Sequence, residues 1–326
     1  MTRASILPTA DEVRAAAARL DGLVERTPLI ASPELSAIAG GEVLLKLECL
    51  QDGGSFKLRG ALYAMLALDD AARARGVVAS SAGNHGIGIA MAAARLGVPA
   101  TVFVPASAPA VKLEKIAARG ATVIATEPTY DAAEAAARAF ATATGATFVS
   151  PCTGRTLLAG AGTVALEVMT TRPDVATLVV CVGGGGLAGG VGGYLRDAAP
   201  AVRIVGAQSV RTNAMSLALA SGRATDIPDL PTLADGLAGL VDAEMLAQGQ
   251  AALDAIVTVE EEEIAEAIRW LHTAHGVRVE GSGAVGVAAL RSGRLRPEAF
   301  PVAVTVSGAN IDAARWAAIV GDASAG

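Results

Sequence analysis

"VVCVGGGGLAGG", residues 179–190, carries an apolar run into four consecutive glycines, Gly183, Gly184, Gly185 and Gly186, and then into a helix-compatible stretch. Glycines let the backbone bend sharply and bring several N–H groups onto one anion at the positive end of a helix. A phosphate is the expected guest, since four glycines exceed what a tight turn needs. The wider segment 175–195 has no charge and could be mistaken for a membrane span. Its eight glycines argue against a helix at mid-bilayer. It reads as a buried strand, a loop and a helix.

Outward from this unit, short β-branched runs alternate with alanine-rich helical patterns. Expected strands are VLLKL (43–47), VVAS (77–80), TVFVP (101–105), TVIAT (122–126), TFVS (147–150), TLVVCV (177–182), RIVGAQ (203–208) and PVAVTV (301–306). Expected helices include 86–97, 131–145 and 261–276. This alternation predicts an α/β fold of doubly wound, parallel or mixed sheets joined by right-handed crossovers. Ligands in such folds bind at the carboxyl ends of strands. Length suggests two domains: residues 71–148 form a compact set of units, a small domain inserted into a larger one made of 1–70 and 149–326, with a cleft between them.

Composition narrows the function. Hydrophobic residues are 52% and charged ones 18%, which excludes disorder. Aromatics at 3% and a net charge of −6 argue against nucleic-acid binding. The start lacks an apolar signal core, and Cys49, Cys152 and Cys181 form no disulfide or CxxC pattern, so a reducing cytoplasm and no membrane association are expected. Metal-ligand spacing is absent, and no metal is expected.

Three further stretches bear on chemistry. GGSFKLRG (53–60) sets Lys57 behind two glycines and Phe56, which leaves open a solvated charge or a reactive amine. SSAGNHGIG (80–88) follows a strand and precedes an apolar helix, where Ser81, Asn84 and the intervening N–H groups could cap the helix or hold a carboxylate; His85 alone reads as structural. VTVSGANID (304–312) delivers Ser307 to a strand end, facing a cleft or capping a helix. Together these describe an amine, a phosphate cradle, a carboxylate cradle and a hydroxyl. A cleft lysine can form a Schiff base, and an aldehyde cofactor carrying a phosphate, such as pyridoxal phosphate, fits the set. The glycine loop also contains GxGxxG (Gly184, Gly186, Gly189), so an NADP-dependent oxidoreductase is weighed. The next strand, however, ends at Gln208-Ser209 without the expected acid, and that reading leaves Lys57 unexplained.

The sequence resembles the fold-type II pyridoxal-phosphate enzymes, a tryptophan synthase β-like fold, in the serine/threonine dehydratase and serine racemase branch. The resemblance rests on LECLQDGGSFKLRGA (47–61), SSAGNHG (80–86), AGAGTVALEV (159–168), CVGGGGLAGG (181–190), GSGAVGVAAL (281–290) and VSGANID (306–312), in the family's order. It implies that Lys57 carries the cofactor as a Schiff base with Phe56 against the ring. Asn84 would bind the ring oxygen, Gly183 to Gly186 the phosphate and Ser307 the pyridine nitrogen, with Gly236 along the ring. Ser81, Ala82, Gly83, Asn84 and His85 would take the substrate carboxylate, and Lys57 and Ser81 would move protons. The implied activity is an ammonia-lyase acting on a β-hydroxy amino acid, most simply L-threonine or L-serine, in a homodimer. A racemase or a β- or γ-replacement enzyme uses the same groups.

The chain departs from the family in places. Where some relatives place two acids for a divalent cation, it has Gln208 and Ala214, so a hard-cation site there is not expected. The segment SPCTGRTLLAGAGT (150–163) lacks the usual acids and has Ala161 where a glutamine is common. Arg155 in it could pair with a second carboxylate, as on a 3-hydroxyaspartate-like substrate. The chain ends soon after VSGANID, so no regulatory amino-acid-binding domain is expected.

Overall fold

The computed structural model describes residues 6–321. The strands are β1 (Leu29–Ala31), β2 (Val43–Lys46), β3 (Val77–Ser80), β4 (Ala100–Pro105), β5 (Thr122–Glu127), β6 (Thr147–Phe148), β7 (Thr177–Cys181), β8 (Arg203–Ser209), β9 (Ala255–Val259) and β10 (Val302–Thr305). They form a six-stranded sheet in the order β1-β2-β10-β7-β8-β9 and a four-stranded sheet in the order β5-β4-β3-β6. Among these strands only β1 runs antiparallel to its neighbour; the other pairings are parallel.

Every residue of β2, β3, β7 and β10 is buried, as expected for parallel strands covered by helices on both faces. The runs expected from β-branching coincide with strands to within a few residues. Two strands add to those expected: β1, which is only three residues long, and β9, formed by the Ala255-Ile-Val-Thr-Val run.

Sheet order places the chemistry. β10 and β7 are neighbours in register, with Val304 opposite Val179, so the chain leaving β10 toward Ser307 emerges beside the chain leaving β7 toward Gly183. In the smaller sheet β3 and β6 are neighbours, so Ser81 emerges beside the segment 149–151. Each sheet thus turns adjacent carboxyl ends toward helix N-termini. The helix Lys57–Leu66 bridges the layers. It packs on the helix Asn84–Leu96 so closely that a side chain at Gly88 would stand 3.2 Å from the Leu58 nitrogen and the Lys57 carbonyl carbon. It also packs on the helix Arg155–Thr171, where a side chain at Gly160 would stand 2.6 Å from the Arg59 carbonyl oxygen.

Candidate active site

Lys57 opens its helix, and its Nζ donates to the Pro151 carbonyl oxygen at 2.7 Å. The centre of the Phe56 ring lies 5.3 Å from that ammonium, and the Phe56 N–H donates to the Ser307 carbonyl. A small recess is lined by Phe56, Lys57, Gly60, Pro151, Leu157, Ala161 and Gly186, which brings the amine and the glycine loop into one pocket. The amine is therefore held at a site, not dispersed in solvent.

Two residues further along the same helix, Arg59 is fully buried. Its guanidinium donates to Glu48 at 2.8 Å and Glu167 at 2.6 Å, and Lys46 completes the network through Glu167 at 2.5 Å. Two cations thus face two carboxylates, which makes the buried cluster neutral. The flanking carboxylates push Arg59 above the ordinary guanidinium range against the opposing effect of burial, so it stays charged.

The glycine loop follows β7 and enters the helix Gly186–Ala198. Gly185 takes φ +88°, a left-handed conformation that favours glycine. Side chains at Gly184 and Gly186 would run into Cys152, and one at Gly183 into the backbone of Leu237. Among the described residues, the N–H groups of Gly183 to Gly186 find no acceptor. Unpaired donors at a helix N-terminus form an anion site. Gly236 sits in the short turn Asp235–Leu237 beside this loop, where an added Cβ would stand 2.8 Å from the Ser282 hydroxyl.

Opposite this, the helix Asn84–Leu96 begins after Gly83 with no side-chain cap. Ser81 Oγ accepts from the Gly83 N–H at 3.2 Å, while the N–H groups of Ala82, Asn84 and His85 have no acceptor among the described residues. A second anion cradle results, shaped for a carboxylate. His85 is buried, with its Nε2 2.9 Å from the Val149 carbonyl oxygen. Burial and the Lys57 charge push it down to about 3, so it is neutral. That supports a structural histidine.

Asn84 is held at both ends. Its Nδ2 donates to Glu280 at 2.6 Å, and its Oδ1 accepts from Asn310 at 2.7 Å. Glu280, which the sequence alone did not single out, is buried at the start of the helix Gly281–Arg291. Burial pushes its carboxyl up to about 7, opposed by the Asn84 hydrogen bond and aided by the nearby Asp235. A lone acid in the stretch RVEGSGAVG was the available signal. Ser307, buried just past β10, accepts from Cys181 Sγ at 3.2 Å.

The structure does not bring Arg155 to this group as expected for a second-carboxylate site. Its guanidinium forks onto Glu12, at 2.5 and 2.6 Å, where Glu12 forms a capping box with Thr9. Gln208, in β8, is a buried neutral side chain. Its amide donates to the Thr212 carbonyl and accepts from the Ser216 N–H, bracing its own loop. Among the described residues no cluster of three or more His, Cys, Asp or Glu could hold a metal, and no helix is long and apolar enough to cross a membrane.

The family described as pyridoxal-phosphate dependent enzyme matches residues 20–308. The L-threonine ammonia-lyase of Thermotoga maritima is 42% identical over 308 residues, covering 93% of this chain and 76% of that protein. The serine racemase of Oryza sativa subsp. indica is 33% identical over 305 residues, covering 92% and 90%. Among solved structures, maize serine racemase superposes with a TM-score of 0.91 at 32% identity, covering 95% of both chains. The processed form of threonine deaminase isoform 2 from Solanum lycopersicum gives 0.87 at 29% identity, covering 98% and 91%.

Proposed function

The chain belongs to the pyridoxal-phosphate dependent enzymes and has their fold-type II architecture, and from that premise we propose that it is an ammonia-lyase. It would eliminate water from a β-hydroxy amino acid, most simply L-threonine or L-serine, to give a 2-oxo acid and ammonia. The residues fit the cofactor: an amine at Lys57, unpaired N–H donors at Gly183 to Gly186 for a phosphate, and a hydroxyl at Ser307. When bound, pyridoxal phosphate supplies the electron sink that acidifies the substrate Cα proton.

The observation that carries this reading is the placement of Lys57 Nζ on the Pro151 carbonyl, in a pocket it shares with the glycine loop. The Ser81–His85 cradle would hold the substrate carboxylate on its free N–H groups, with Asn84 presented toward the cofactor's ring oxygen. Phe56 would flank the ring, and Gly236 would allow it close approach. The Lys57 amine would remove the Cα proton, and the Ser81 hydroxyl would return a proton to the departing β-hydroxyl. Activity named for the Thermotoga maritima relative supports this substrate class.

Racemisation is the second reading, favoured by the serine racemases among the relatives. Incubating the loaded enzyme with both enantiomers of serine and threonine separates the two. Formation of 2-oxo acid and ammonia in equal amounts supports the lyase. Enantiomer interconversion without 2-oxo acid replaces it with a racemase, and no change in any amino acid rejects both.

We assign residues 1–70 and 149–326 to a large cofactor domain and 71–148 to a small carboxylate-binding domain. Derivation of the four-stranded sheet from residues within 77–148 supports this division. A cytoplasmic homodimer is proposed, with free Cys49, Cys152 and Cys181 consistent with a reducing compartment. Sedimentation equilibrium at the mass of one chain would reject the dimer.

A further inference from the structure

Cys181 is the last residue of β7 and Ser307 lies just beyond its neighbour β10. Both are buried, at 5% and 3% exposure. Cys181 Sγ donates to Ser307 Oγ at 3.2 Å. The other contact of that hydroxyl is the Ser282 carbonyl at 3.5 Å, the outer limit of a hydrogen bond. A hydroxyl carries one proton and two acceptor lone pairs. The thiol occupies a lone pair, while the hydroxyl proton is left with a weak acceptor that a better one would displace.

Burial pushes the Cys181 thiol up to about 11, so it remains S–H and keeps its donor role at neutral pH. The charged groups that act on it are Lys57, which favours the thiolate, and Glu280, which opposes it; burial outweighs the Lys57 charge. Among the described residues the thiol's side-chain partner is the Ser307 hydroxyl.

We propose that Cys181 is a positioning residue that orients the Ser307 hydroxyl as a donor toward the cofactor's ring nitrogen, and so holds that nitrogen unprotonated. The inference rests on the assignment of Ser307 to the pyridine ring. A protonated ring nitrogen would need the second lone pair of Ser307 Oγ, on an oxygen that the thiol's S–H already polarises toward donation, and would leave the hydroxyl proton on the distant Ser282 carbonyl. An unprotonated one accepts the hydroxyl proton without displacing the thiol. A thiol is a weak donor, so its effect on the ring's proton affinity is about threefold, within the range of one hydrogen bond.

The test loads the enzyme with cofactor labelled with 15N at the ring and follows the nitrogen chemical shift with pH. In the native enzyme the shift is that of the unprotonated ring. Cys181→Val fills similar space without a donor, and its shift moves toward the pyridinium position, with proton affinity raised about threefold. Cys181→Ala does the same without added bulk, which covers a Cys181→Val variant that loads poorly. Cys181→Ser retains a donor and restores the native shift, a rescue that space-filling alone does not predict. A donor-free variant with the native shift, or a Cys181→Ser shift equal to that of Cys181→Val, overturns the proposal. Ser307→Ala separates the premise: if that variant leaves the nitrogen shift unmoved, Ser307 does not face the ring and the site assignment fails instead.

Discussion

Asn84 and Glu280, 196 residues apart in sequence, meet at 2.6 Å, the amide of one layer donating to a buried carboxyl of the other. Because Asn310 donates to the opposite end of the same amide, Asn84 has one orientation available. Its nitrogen faces Glu280 and retains a second proton to offer elsewhere.

The Glu280 carboxyl is raised by burial from 4.5 to about 7. Between those values the folded chain holds a proton that the unfolded chain has released. This residue's contribution to stability therefore falls as pH rises through that window and is level above it. The shift corresponds to roughly 3 kcal/mol at about 1.4 kcal/mol per unit. Glu280→Gln, which mimics the protonated form, should remove the slope. Denaturant unfolding of both proteins at pH 4.5 and pH 8 measures it, and an equal stability difference at the two pH values contradicts the burial argument.

Lys57→Ala should abolish both turnover and the visible absorbance of the loaded protein. An absorption spectrum of the dialysed variant decides the point. Retention of the native band would mean that another amine carries the cofactor.

Ser81→Ala should lower kcat for the β-hydroxy substrate by about 10²–10⁴, the range for losing a general acid. The variant should keep the native spectrum, because Ser81 Oγ is bonded to the Gly83 N–H and not to the amine's pocket. Steady-state rates beside an absorbance scan distinguish this from loss of cofactor. An unchanged kcat would remove Ser81 from the proton path.

Arg59→Leu should destabilise the fold by about 3–5 kcal/mol, the cost of leaving buried carboxylates under-compensated. Glu48 and Glu167 would then share Lys46 alone. A shift of less than about 1 kcal/mol in a denaturant titration would show that water reaches the cluster and replaces the guanidinium.

What can be read from the chain alone follows from where the information lies in it. Lys57, the run Gly183 to Gly186, and Ser307 each sit in a short passage at a strand or helix end, whose residues declare their own backbone. The Ile256-Val257-Thr258-Val259 run of β9 is equally local, and its β-branching is a usable signal. Glu280 with Asn84, Cys181 with Ser307, and Arg59 with Glu167 are different, because each pair is assembled by sheet order and helix packing across widely separated segments. Arg155 shows the reverse failure. Its charge suggests a substrate partner, but a helix cap 143 positions earlier uses it.

The carbonyl on which Lys57 rests belongs to Pro151, so the group that parks the amine is main chain and present whatever side chain stands there. The surrounding turn is tied internally, with Ser150 Oγ accepting from the N–H groups of Cys152 and Thr153. The side chain at 153 can therefore change without unseating the amine, whereas the one at 152 stays matched to the glycine loop it packs against. In evolutionary terms, the wall of the pocket is separable from its reactive centre.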